Sequence, residues 1–401
     1  MSYDIDSVRA DFPALAGGSA HFDGPGGTQT PRQVAEAIAG ALTGPLSNRG
    51  TVTPGESNAE KTVTDARAAI ADLVGGEAGG VVFGRSATQL CYDFSRWISR
   101  DWGQGDEVVV TRLDHDSNVR PWVQAAERTG ATVRWLDFDP DTSELEDVST
   151  VLSDRTRLVA VTAASNLVGT KPPVAAIAAA AHDAGALVYV DGVHFTAHCS
   201  VDIVSLGADL YACSPYKFLG PHLGALTASP ELLTTLRPDK LLPSTNAVPE
   251  RFEFGTLPYE LLAGVAAAVD YLAGLGGSGT ASASRRENLV AAFAGLEAHE
   301  DALLARLEAG IRELPGVTVH SRAAHRTPTL LLTFEGRSTV DAYEFLAARG
   351  VDAPSSNFYA LEASRRLGLG DEGGLRAGLA PYTSEDDVDR LVAGLAAFLA
   401  E

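Results

Sequence analysis

Lysine is almost missing from this chain: only Lys61, Lys171, Lys217 and Lys240 occur in 401 residues. With 31 basic against 52 acidic residues the formal net charge is -21. That argues against nucleic acid or an anionic membrane as a main partner, because either recruits basic patches. The acidic residues are spread along the chain rather than gathered in a tail, the pattern of a solvated surface. No uninterrupted apolar run reaches the roughly 18 residues of a membrane span, so a composition of 45% hydrophobic residues reads as soluble and globular. The opening MSYDIDSVRADF is acidic and lacks an apolar stretch of the secretory kind, so no export signal is expected. The three cysteines, Cys91, Cys199 and Cys213, make neither a metal-spaced set nor a disulfide framework, and their odd number suits a reducing cytoplasm. Also absent are a G-x-G-x-x-G opening a helix after the first strand and a G-x-S-x-G elbow, which removes the usual signals of dinucleotide binding and serine hydrolysis.

What is present is an alternation. Short apolar segments GVVFG (80–84), EVVVT (107–111), TVRWL (132–136), LVAVT (158–162), ALVYV (186–190) and DLYACS (209–214) are separated by helix-like stretches such as 87–100, 118–130 and 173–185. Several of these strands are apolar throughout, as in a sheet covered on both faces, so the class is α/β with a mainly parallel sheet. After GGSGTASASRRENL (276–289) the pattern changes to a long helix near 286–313, then TVH (318–320), TLLLTF (329–334) and a closing helix at 385–400. The expected division is a large domain over 21–275 and a smaller α+β domain made of 1–20 and 276–401, in keeping with a length beyond one simple core.

In such sheets ligands gather at the carboxyl ends of the strands. Residues there are Ser86 and Thr88, His115 and Asn118, Asn166, Asp191 and His194, and Ser214 with Lys217. Lys217 follows a buried strand, where desolvation lowers an amine's pKa and makes it a nucleophile toward a carbonyl; the bland alternative is a lysine snorkelling from a loop. A carboxylate at the end of VYVD must be paired, and a protonated ring nitrogen would pair Asp191 as well as a structural cation would. A Schiff-base lysine and an aspartate on a pyridinium nitrogen are what pyridoxal 5'-phosphate requires. GRSATQL (84–90) passes from strand to helix through small residues, so the amides of Ala87 and Thr88 and the Thr88 hydroxyl could receive a phosphate, with the Ser214 hydroxyl added. A metal site from His115, Asp116, Asp191 and His194 has suitable ligand types but leaves Lys217 without a purpose.

The segments LDHDSNVRPW, ASNLVGT, VYVDGVHFTAH, SPYKFLGPHLG, RFEFGT and LRAGLAPYTSEDDVDRL, in that order after HFDGPGGTQTP, resemble the cysteine desulfurase-like branch of the class V aminotransferases. The resemblance covers nearly the whole chain and implies a fold-type I pyridoxal phosphate enzyme with a seven-stranded sheet. It further implies that Lys217 carries the cofactor and moves the proton at Cα, that Asp191 keeps the pyridine nitrogen protonated, and that His115 lies on the ring and assists proton transfer. Asn166 and His194 would sit near the phenolic oxygen, although relatives commonly have glutamine at the His194 position. Ala87, Thr88 and Ser214 match the phosphate cup, and Thr256 matches a residue that reaches the phosphate from a neighbouring subunit, so a homodimer with shared active sites is implied. Arg376 matches the arginine that clamps the substrate α-carboxylate, and Asn357 is assigned with it to substrate binding.

One departure bears on the reaction. Desulfurases of this branch carry a nucleophilic cysteine on a loop of the small domain, and the corresponding stretch VDAPSSNFYALEASRRLGLGDEGG (351–374) has none. The expectation is a cytoplasmic enzyme acting at Cα and Cβ of a small amino acid, as a desulfurase-like or C–S lyase without the usual persulfide cysteine. Transamination or epimerisation is the alternative, and a non-catalytic cofactor-binding scaffold the second alternative.

Overall fold

The computed structural model describes residues 3–275 and 282–401. The start of the Gly/Ser-rich break, 276–281, lies outside the described residues. Seven strands form the main sheet in the order Val81–Gly84, Gly224–Ala228, Leu210–Cys213, Leu187–Asp191, Thr156–Thr162, Glu107–Thr111 and Thr132–Leu136. All run one way except Gly224–Ala228, which is antiparallel to both neighbours. The fold is therefore the expected α/β arrangement with a mainly parallel seven-stranded sheet.

Successive residues of a strand point to opposite faces. Along Thr156–Thr162, Leu158 and Ala160 pack with Phe94, Trp122 and Tyr189 on one side, while Val159 and Val161 pack with Ile70, Ile177 and Val190 on the other. Both faces are covered, which is why the central strands read as continuous apolar runs. The edge strand Thr132–Leu136 instead alternates in exposure.

Two helices on the large sheet are started by side-chain caps. Thr53 and Glu56 make a capping box at Pro54–Val74, and Gly75 closes that helix in the left-handed region at φ 70°. Ser86 Oγ accepts the Gln89 amide at 3.1 Å to begin Ala87–Ile98, whose Leu90, Phe94 and Trp97 lie toward the sheet. This helix start presses on the sheet at Gly224, where a Cβ would overlap the Ser86 carbonyl and the Ala87 amide. Gly224→Ala is expected to destabilise the protein by about 1–3 kcal/mol through that overlap, read as a lower midpoint in urea unfolding.

A second, antiparallel sheet is ordered Ser355–Ser356, Gly374–Gly378, Thr329–Phe334 and Val317–Val319. Helices Arg285–Arg312, Thr339–Ala347 and Glu385–Ala400 pack with it around a core that includes Leu307, Leu332, Leu346, Leu375 and Leu395. The first twenty residues divide between the two cores: Val8 and Phe12 join the large-sheet core, whereas Ala20 joins the smaller one and Ala20–His21 pairs with Val351–Asp352.

Candidate active site

The strand ends converge as the sheet topology requires. Ala87 and Thr88 follow Val81–Gly84, His115 follows Glu107–Thr111, and Asn166 follows Thr156–Thr162. Asp191 ends its own strand with His194 just beyond, and Ser214 and Lys217 follow Leu210–Cys213. All eight of these side chains line one pocket. It opens into a cleft of about 470 Å³ that adds Asp23, Tyr92, Arg120, Phe358, Tyr359 and Arg376.

Burial sets the charge of each group. Lys217 is 8% exposed. Desolvation first, and then the Arg376 guanidinium, lowers its pKa to about 7, and its Nζ donates to the Pro25 carbonyl. Asp191 is raised to about 6 by desolvation, against the Val193 amide that donates to its Oδ1 at 2.9 Å. His115 is lowered to about 3, by desolvation and then by Lys217 and Arg376. The Ser117 amide donates to its Nδ1 at 3.0 Å, so that atom is the acceptor and the ring proton sits on Nε2. His194 is driven well below its usual range by burial, with Nε2 at 2.9 Å from Thr327 Oγ1 and 3.2 Å from Thr329 Oγ1. Both imidazoles are neutral near pH 7.

Arg376 enters from the smaller sheet, in the middle of Gly374–Gly378, and is 1% exposed. Its Nη1 donates to the Asn166 carbonyl at 3.0 Å and its Nη2 pairs with Asp23 Oδ1 at 2.5 Å. The Phe358 ring covers the guanidinium, 3.6 Å from Cζ to the ring centroid. Two residues lie outside this cleft, and one of them, Thr256, is the residue expected to serve a neighbouring subunit. Asn357 does not line the cleft: its Nδ2 donates to the Asp371 carbonyl at 2.7 Å and its Oδ1 accepts the Tyr359 amide at 2.9 Å, so its side chain pins the loop. Thr256 lines a separate hollow of about 690 Å³ with Phe83, Gln89 and Phe254.

Residues unforeseen from sequence also take part. Asp23 lies in DGPGG, which reads as a turn, and nothing in that run signals a partner 353 positions away. Asp114 sits buried behind His115, accepting from Thr111 and Asn118, with its pKa raised by desolvation to about 8. An aspartate in the charged run DHDSN resembles a surface residue, and only the fold shows it inside.

A family model described as aminotransferase class-V matches residues 20–391. The chain belongs to that family. Its members are pyridoxal phosphate enzymes. An uncharacterized protein of Mycobacterium tuberculosis is 33% identical over 401 residues, 99% of each chain. A probable cysteine desulfurase of Mycobacterium leprae is 32% identical, covering 98% of this chain and 96% of the relative. The cysteine desulfurase CsdA of Escherichia coli superposes with a TM-score of 0.87 at 26% identity, over 100% of this chain and 99% of that one. The fold is accordingly fold-type I.

The class V cofactor fits the donor set found here. Asp191 is a buried carboxylate with one hydrogen bond, and Asn166 Oδ1 is buried with no partner among the described residues. The amides of Ala87 and Thr88 belong to a first helical turn, where no helical carbonyl can take them. A cationic ring nitrogen, a polar ring substituent and a phosphate answer these groups in turn.

Proposed function

We propose that this chain is a cytoplasmic pyridoxal phosphate enzyme that breaks a bond at Cβ of an amino acid, the C–S bond of a cysteine-derived substrate, without passing sulfur through a cysteine of its own. The position of the thiols carries the reading. Cys91, Cys199 and Cys213 are all buried, none lines the cleft, and 351–374 contains none. Desolvation pushes Cys199 and Cys213 up to about 12 and Cys91 well above its usual value, so none is a ready thiolate.

Ala87, Thr88 and Ser214 would hold the phosphate, Asp191 the ring nitrogen, and Lys217 the aldehyde carbon, with His115 against the ring and Asn166 and His194 at its oxygen. When bound, the cofactor supplies an electron sink for the pair left at Cα after a bond there breaks. The chain's own residues do the rest. Arg376 would take the α-carboxylate in exchange for its Asp23 partner, which fixes the Cα proton relative to Lys217. With its pKa lowered, the Lys217 amine is substantially unprotonated near pH 7 and accepts that proton. His115, neutral and held by Ser117, offers a flat uncharged face. Thr256 lines the other hollow and not its own cleft, so we take it to serve a second copy in a homodimer.

Products decide among the chemistries. Cofactor-loaded enzyme given S-alkyl-L-cysteine is expected to yield pyruvate, ammonia and the free thiol, with water consumed. A keto acid that keeps the side chain, with the amine form of the cofactor, would establish transamination instead. Alanine from L-cysteine together with a protein-bound persulfide would overturn the relay-free reading, and no product from any amino acid would leave a scaffold.

A further inference from the structure

The loop that carries no cysteine is built for something else. Phe358 and Tyr359 both have left-handed backbone, at φ 51° and 59°, a conformation that residues with side chains rarely adopt. Several contacts hold it in place. The Phe358 carbonyl accepts Asn166 Nδ2 at 3.0 Å, the Tyr359 carbonyl accepts the Asp116 amide at 2.7 Å, and Asn357 fastens the turn from outside. Phe358 is anchored against the apolar cluster of Leu113, Leu167, Val168 and Leu331 and covers Arg376. Tyr359 is left at the mouth of the cleft, its ring stacked on His115 at 5.6 Å and 29°, yet 74% exposed.

We propose that this turn is a specificity strap: Tyr359 receives the flat face of a planar, aromatic group carried on the substrate's side chain beyond Cβ. The inference rests on the functional reading above and names the substrate class for it. Tyr92 and Tyr216 line the same cleft, so two further aromatic rings stand among its polar side chains. Without cofactor the cleft measures about 470 Å³, within the roughly 300–1,000 Å³ range of sites for small organic molecules, and cofactor and substrate share that space. Acidic side chains are disfavoured. Asp23 and Asp116 line the cleft, and each of its arginines already meets a carboxylate, Arg120 through Asp116 at 3.0 Å and Glu362 at 3.6 Å and Arg376 through Asp23 at 2.5 Å. An exposed tyrosine held in a strained turn gains contact area once a planar group covers it, and offset ring stacking supplies the selectivity.

The test uses the cofactor-loaded protein and an uncleavable probe, L-homophenylalanine, whose methylene stands where the sulfur of an S-phenyl thioether would. Dissociation constants are read from the cofactor's absorbance change, with L-alanine as the reference. Wild type is expected to prefer L-homophenylalanine by about tenfold, the upper range of a single aromatic contact. Tyr359→Ala removes the preference and Tyr359→Phe keeps it. Equal affinities in wild type, or a preference that survives in Tyr359→Ala, overturn the strap while leaving the enzyme reading intact. No absorbance response to any amino acid overturns both.

Discussion

Replacing Lys217 by alanine abolishes the near-visible absorbance of the cofactor-loaded protein and, with borohydride, leaves no cofactor covalently attached. Turnover falls by at least about 10²–10⁴-fold, the usual worth of a positioned proton-transfer group, because the amine nearest the substrate Cα is gone. The substitution is tolerated by the fold: the side chain sits at the end of a short turn, and its polar contact is with the Pro25 carbonyl. The wild-type apoprotein gives the complementary measurement. An exposed lysine titrates near 10.5, whereas burial and Arg376 bring Lys217 to about 7. Capture of pyridoxal phosphate by the apoprotein, trapped by reduction, should therefore rise with pH through a midpoint near 7. A midpoint near 10.5 would show that the trapped amine is another lysine.

Asp191→Asn separates activity from stability. The asparagine keeps an oxygen for the Val193 amide but cannot hold a neighbouring nitrogen cationic, so kcat is expected to fall by about 10²–10³-fold, the scale of losing one preorganised electrostatic contact. Stability moves the other way. The folded-state pKa of Asp191 is raised from 3.8 to about 6, so the folded chain binds more protons than the unfolded one between those values. Its contribution is retained at low pH and lost as pH rises through that window. Asparagine has no such loss. Apo Asp191→Asn should melt above apo wild type at pH 8, with the gap closing toward pH 4; a lower melting temperature at pH 8 would show that the carboxylate stabilises the fold.

The readable parts of this molecule are those where one physical signal acts over consecutive residues. GVVFG, EVVVT and ALVYV are buried on both faces, and burial leaves an apolar run that needs no partner to be recognised. GALTA (224–228) and GLRAG (374–378) are equally buried strands, but glycine and alanine carry little β preference, and neither segment advertises itself. The second of these holds Arg376. Site residues at strand ends were legible because topology places them there, whereas Asp23, Phe358 and Tyr359 arrive from distant loops and share no period with what they touch. Asn357 shows the converse: it lies in the right loop, but its amide faces Asp371.

The reversed strand Gly224–Ala228 imposes an order on assembly. Val81–Gly84, which leads into the Ala87–Ile98 helix, has its only sheet neighbour among the described residues in that strand. A growing polypeptide thus waits some 140 positions before its earliest sheet segment can be joined to the rest. Long-range pairings of this kind slow folding, and until that closure the cup and the lysine belong to separate pieces.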